Sequence, residues 1–183
     1  MEVNLIKAEL ADAEILHRMQ VEAFMPLLRK YQDHALNPAM ESLDRLAEKI
    51  QQPNSAFYLI RRGGQSVGGV RVVDLDGGCQ CRISPIFILS AFQRLGIAQQ
   101  ALCLLERSHR PQESWCLDSI LEEVGNCRLY EKLGFIRVGS ARRVQPGMHL
   151  VSYRRLWKNC ERLLNTSLQF IHLAFLYLMP KRL

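Results

Sequence analysis

The sequence predicts an α/β domain in which helices accompany a sheet built on an antiparallel meander. Three observations predict it. First, short β-type apolar runs and helix-period segments follow one another in the order β-α-α-β-β-β-α-β-α-β-β. Second, the strand signals Ala56 to Arg61, Ser66 to Leu75 and Gln80 to Leu89 are joined only by Gly63-Gly64 and Asp76-Gly77-Gly78. Connections that short make hairpins, so these strands form an antiparallel meander. Third, the last of them ends in a β-branched run (Ile83, Ile86, Phe87, Ile88, Leu89) that passes through a short polar turn into an amphipathic helix.

The elements follow in order. Val3 to Ala8 alternates weakly and reads as the first strand. Asp12 is placed to cap a helix running to about Lys30, whose apolar positions Ile15, Leu16, Met19, Ala23, Phe24, Leu27 and Leu28 form one stripe. Pro26 inside it predicts a kink or a break. After a polar loop from Tyr31 to Leu36, Asn37-Pro38 marks a second helix, from Pro38 to about Gln51, with Asn37 as its cap. Beyond the meander a helix runs from Gly96 to about His109, and Trp115 to Ile120 is a fifth strand. Asn126 to Leu133 is a short helix stopped by Gly134. Phe135 to Val144 and Met148 to Arg155 form a last pair, turned at Gln145-Pro146-Gly147. Residues 1–156 make one domain. Residues 157–183 are an apolar helical extension, read as a buried or dimer-forming helix or as an interfacial anchor beside Lys181-Arg182.

Composition removes several classes. An apolar share of 48% excludes a disordered chain. No run has the length and purity of a membrane span, and MEVNLIKAEL lacks a basic start followed by an apolar stretch, so the expected location is the cytoplasm. The six cysteines contain no C-x-x-C pair, which predicts reduced, buried thiols and no metal site. The net charge of +6 is scattered and not interleaved with aromatic residues, which argues against nucleic acid. Histidines 17, 109, 149 and 172 have no partner spacing and are expected to be structural.

Gln93-Arg94-Leu95-Gly96-Ile97-Ala98 opens into the third helix. The first turn of a helix carries free N–H groups and the positive end of its dipole, so it receives phosphate well. Gly96 lets the backbone approach a ligand, Ala98 leaves room, and Arg94 adds charge at the rim. The spacing Gln93-x-x-Gly96-x-Ala98 resembles the pyrophosphate loop of the GNAT superfamily of N-acetyltransferases. Gly125-Asn126-Cys127-Arg128-Leu129-Tyr130-Glu131-Lys132-Leu133-Gly134-Phe135 resembles the other half of that signature. The resemblance covers roughly residues 3 to 155.

The resemblance implies the GNAT fold, α/β with a mixed, mostly antiparallel central sheet flanked by helices, in which the strand before the loop and the strand at Trp115 splay apart. It implies acetyl-coenzyme A as co-substrate and an amine of a small molecule or peptide as acceptor. Backbone groups of Ile86, Phe87 and Ile88 would take the pantetheine amides and the oxyanion. Those of Arg94, Leu95, Gly96, Ile97, Ala98 and Gln99, with Gln93 opening the loop, would hold the diphosphate. Tyr130 would be the general acid, with a packing role as the alternative. Asn126 is either a cap of its helix or a cofactor contact. Tyr31, Asp33 and His34, together with Asp118, are the residues expected to face the amine. No single general base is identifiable: Asp118, Glu122 and Glu123 are the candidate carboxylates, each also read as a solvated or capping group, and ordered water is the alternative. Two positions depart from the family pattern: Ser90 stands where proline is common, and Arg94 where glycine is common. A non-catalytic acyl-coenzyme A binding domain is the rival reading. A dinucleotide site is disfavoured, because it wants two more glycines and βαβ units.

Overall fold

The computed structural model describes residues 2–156. The expected division at residue 157 and the helical extension beyond it lie outside the described residues. Seven strands form one sheet: β1 (Val3–Lys7), β2 (Ser55–Arg62), β3 (Gln65–Leu75), β4 (Gln80–Ile88), β5 (Ser114–Ile120), β6 (Ile136–Gln145) and β7 (Met148–Leu156). Their spatial order is β1-β2-β3-β4-β5-β7-β6, and every neighbouring pair is antiparallel except β4 with β5. Four α-helices cover it: α1 (Ala13–Tyr31), α2 (Leu43–Gln51), α3 (Ile97–Ser108) and α4 (Val124–Lys132).

Alternation along the strands sorts the core into two layers. Leu59 and Phe87 face α1 and α2, in a cluster with Leu16, Met19 and Leu46. Their chain neighbours Ile60 and Ile88 face α3 and α4, in a cluster with Ile97, Leu102, Leu105, Cys127 and Tyr130. Gly69 on β3 shows how tight the first layer is. A Cβ built there would lie 2.7 Å from Phe87 Cζ and 3.0 Å from Leu16 Cδ2. Gly69→Ala is therefore expected to cost roughly 1–2 kcal/mol through overpacking, read as a fall in the urea midpoint at unchanged m-value.

Three local expectations change. The first helix runs unbroken through Pro26 to Tyr31. Met19 and Gln20 before the proline and Leu28 and Tyr31 after it are all buried, so packing on both sides holds the helix across the lost bond. The expected helix from Pro38 divides. Asn37 caps only a 3₁₀ turn, Pro38–Met40, by accepting from Ala39 N at 2.9 Å; α2 begins at Leu43 under a Ser42 cap. Residue 41 stays extended between them because Glu41 is used as a hub. It accepts from Gln20 Nε2 at 2.9 Å, pairs with Lys49, and its carbonyl lies 2.8 Å from His17 Nε2. The thiols are not uniformly buried: Cys81 and Cys127 are, whereas Cys103 is exposed on α3.

What places the site is the divergence of β4 and β5. They are paired only from Gln80↔Ser114 to Arg82↔Cys116. Beyond Arg82 the two strands share no ladder, so a wedge opens between the second half of β4 and the second half of β5. Both α3, which follows β4, and α4, which follows β5, start at the open end of that wedge.

Candidate active site

One wall of the wedge is the free edge of β4. Leu89 N donates to Val67 O at 2.9 Å, toward β3. Antiparallel ladders alternate, so the Phe87 amide also faces β3, while those of Ile86 and Ile88 face the gap. Of the residues expected to offer backbone to a ligand, Ile86 and Ile88 are thus placed for it. Phe87 instead sends its ring against Phe24, at 5.9 Å and nearly edge-on. The Ile88 carbonyl already accepts from Gln93 Nε2 at 2.9 Å. Gln93 therefore ties the loop to the strand end, a role its position in the motif did not reveal.

The loop itself leaves a run of donors open. After a 3₁₀ turn, Ser90–Phe92, the backbone bonds are Gln93 N to Ser90 O and Gln100 N to Gly96 O. Between them, the N–H groups from Arg94 to Gln99 have no backbone acceptor among the described residues. Gly96 adopts φ +73°, and a Cβ placed there would meet only Gln100 Nε2, at 3.8 Å. The space in front of the glycine is thus a cradle that a side chain would fill, at the positive end of α3. This fits a diphosphate.

Arg94 is exposed and takes φ +61°. That is the left-handed region, where an L side chain is disfavoured by about 1 kcal/mol relative to glycine. Arg94→Gly is accordingly expected to raise stability by up to about 1 kcal/mol. The same change removes a cation from the rim and should weaken acetyl-coenzyme A binding several-fold. Thermal unfolding and calorimetric titration, run side by side at two salt concentrations, check both signs.

The opposite wall carries α4. Gly134 closes this helix with φ +83°. Asn126 is not its cap: it lies inside α4, its N–H bonds to Glu123 O, and Glu123 occupies the cap position. The exposed Asn126 side chain sits one turn before Tyr130 on the same helix. Tyr130 is 7% exposed, with its ring 6.2 Å from Phe135 and 5.8 Å from Tyr153. Its hydroxyl makes no hydrogen bond with any described residue. Burial, with Cys127 nearby, pushes the phenol up to about 12, so it stays protonated throughout the physiological range.

On the α1–α2 side, the expected acceptor residues are already engaged. Tyr31 Oη donates to Glu123 Oε1 at 2.7 Å, and Lys30 Nζ pairs with the same oxygen at 2.7 Å. Gln145 donates to the Tyr31 carbonyl, so the end of α1 is strapped to the β5–α4 loop and to the β6–β7 turn. Asp33 is buried and accepts from Ala35 N and Leu36 N, which shapes its own loop. Asp118 pairs with Arg82 across the apex of the wedge and accepts from Ser152 Oγ at 2.7 Å. Arg82, Asp118, Ser152 and Arg154 line an open cavity of about 400 Å³ there.

Two of the carboxylates expected as bases, Glu122 and Glu123, are held as ions. Burial raises Glu123, but the Lys30 and Tyr31 bonds outweigh it and its pKa falls below the usual range. Glu122 behaves alike: burial raises it, and bonds from the His149 ring and backbone bring it below.

A family model described as an acetyltransferase (GNAT) domain matches residues 18–157. The chain belongs to the GNAT acetyltransferase family. It is an acetyl-coenzyme A-dependent N-acetyltransferase with the splayed sheet that the motifs implied. The GNAT fold recurs in solved structures of low identity. An acetyltransferase from Thermus thermophilus superposes with a TM-score of 0.66 at 17% identity, covering 85% of this chain and 97% of that one. Ribosomal-protein-S18-alanine N-acetyltransferase from Escherichia coli gives 0.67 at 15%, covering 85% and 94%. Spermidine N-acetyltransferase from Vibrio cholerae, in complex with CoA and spermine, gives 0.68 at 17%, covering 85% and 95%. No curated protein matches this GNAT chain. Among its described residues, no helix is long and apolar enough to cross a membrane.

Proposed function

We propose that this acetyltransferase moves an acetyl group to a primary amine of a small molecule or peptide, by direct attack, with Tyr130 as general acid. Acetyl-coenzyme A, when bound, supplies an already activated thioester. What remains for the chain is placement and proton traffic. The N–H groups from Arg94 to Gln99 hold the diphosphate, and Asn126 is placed to add a side-chain contact from α4. The Ile88 N–H, free of the β3 ladder, stabilises negative charge as it develops on the carbonyl oxygen. Tyr130 Oη donates its proton to the departing sulfur. No side chain is assigned as base. Glu122, Glu123 and Asp118 are tied up in ion pairs or charged hydrogen bonds, and an amine arriving as its free base needs only water to take its proton.

One observation carries this reading: a buried tyrosine whose hydroxyl bonds to no described residue, on the helix that starts, like α3, at the open end of the wedge. The amine class is supported by the company the fold keeps, since the neighbours are named for spermidine and for a ribosomal-protein alanine. The strap through Tyr31, Lys30 and Glu123 borders the acceptor side, with Asp33 shaping the loop beneath it. Asp118 stands at the apex of the wedge.

The test is a panel of polyamines, amino acids and N-terminal peptides incubated with acetyl-coenzyme A and followed by release of free thiol. Turnover with at least one primary amine is expected. Tight binding of acetyl-coenzyme A with no thiol released by any amine would favour the non-catalytic binding domain instead.

A further inference from the structure

A second cluster of reactive side chains lies on the α3 side of the sheet, at the end of the β3–β4 hairpin. Asp74 and Cys81 are direct cross-strand partners, and Cys81 Sγ donates to Asp74 Oδ1 at 3.2 Å. His109 follows α3 and is fixed there by its N–H bond to Leu105 O at 2.7 Å. Its ring stands edge-on between Tyr58, at 5.7 Å, and Trp115, at 6.3 Å, with Tyr58 Oη 2.8 Å from Nε2. One ligand atom from each of Asp74, Cys81 and His109 lies within 4.8 Å of the others.

We propose that Asp74, Cys81 and His109 bind a zinc-class divalent cation. The donor set of one sulfur, one imidazole nitrogen and one carboxylate oxygen suits zinc, and tells against calcium and magnesium, which want oxygen alone. The charges balance: a thiolate and a carboxylate offset a dication in a half-buried place. Without the cation the thiol keeps its proton, pushed up to about 12 by burial and by Asp74. On binding, the S–H bond breaks, a sulfur–metal bond forms, and the proton passes to solvent through the exposed Asp74. His109 supplies the imidazole, its ring nitrogen Nε2 standing 2.8 Å from Tyr58 Oη and one ligand atom lying within 4.8 Å of those of Asp74 and Cys81. Tyr58 fixes its ring, as outer partners of metal-bound histidines do. Trp115, opposite Cys81 on β5, adds an independent sign. It is 1% exposed, and its indole N–H has no partner among the described residues. An orphaned buried donor on a ring packed edge-on against His109 is one that a further acceptor atom, such as a metal-bound water, would satisfy. The cation would clamp the hairpin to the end of α3, the two elements whose other ends flank the Gly96 loop.

The full chain carrying Cys103→Ser and Cys160→Ser, to silence competing thiols, is titrated with Co²⁺ and with Zn²⁺. One equivalent of Co²⁺ should produce a thiolate-to-metal absorption band, Zn²⁺ should displace it, and one proton should be released per ion. Cys81→Ser should abolish the band, and Tyr58→Phe should weaken the metal ~10-fold. Acetyl-coenzyme A affinity, measured alongside, reports that each variant is folded. Absence of the band in the parent protein overturns the proposal, whatever the variants do. So does a band that survives Cys81→Ser, or a signal that Mg²⁺ reproduces.

Discussion

Gly96→Glu is expected to abolish acetyl-coenzyme A binding while the protein stays folded. The glycine holds φ +73°, and the space its Cβ would occupy is bounded only by Gln100 Nε2 at 3.8 Å. A glutamate can therefore be seated without breaking the core. Two penalties follow. The left-handed backbone conformation costs an L residue about 1–2 kcal/mol. A carboxylate then stands where a phosphate must sit, and like charges about 4 Å apart near a surface repel by on the order of 4 kcal/mol. The strain falls on the free and the bound protein alike and lowers only stability, whereas half of the repulsion alone weakens binding by ~30-fold. Gly96→Ala separates the terms, since it keeps the backbone strain and drops the charge. Calorimetric titration of both variants, with circular dichroism as the fold control, gives the comparison. Unchanged affinity in Gly96→Glu would remove the loop from the site.

Tyr130→Phe is expected to lower kcat by ~100-fold, the lower range for loss of a positioned proton donor. KM for acetyl-coenzyme A should stay within about twofold, because an interaction made only in the transition state is lost from kcat. Stability should barely move. The hydroxyl bonds to no described residue, and the contacts to Phe135 and Tyr153 are made by the ring. A purely packing tyrosine would leave turnover unchanged, since phenylalanine keeps the ring contacts with Phe135 and Tyr153. The two roles left open by the sequence are thus separated by one pair of measurements on one variant.

The strand, loop and helix around Gly96 were legible in the sequence because they are local. A β-branched run, a glycine and an amphipathic helix lie within about twenty consecutive residues, and each carries its own conformational rule. The same holds for all seven strands and for the order of the helices, where boundaries shifted by a residue or two except at the start of α2. The errors have a common cause. Asn37-Pro38 is a sound helix start by local chemistry, but Glu41 is drawn into contacts with Gln20 and Lys49, and the helix waits for Ser42. Pro26 is tolerated because burial on both sides outweighs one lost bond. Asn126 has the chemistry of a cap, yet the chain turns earlier, at Glu123.

The contacts at the end of α1 and at the apex of the wedge were largely illegible, because they join residues far apart in the chain. Tyr31 and Lys30 meet Glu123, and Arg82 meets Asp118, through pairings that no spacing rule announces. The cluster of Asp74, Cys81 and His109 escaped for the same reason. Metal motifs are recognised by short spacing, whereas here two ligands face each other across a hairpin and the third arrives from the far end of α3.

The most direct measurement compares acetyl-coenzyme A with S-acetylpantetheine, which keeps the thioester and the amide arm but has no diphosphate. If open amides around Gly96 carry the grip, the wild-type protein binds the full molecule at least ~100-fold more tightly, and Gly96→Glu erases that advantage. Equal affinity of the wild-type protein for both compounds would contradict the account at its root.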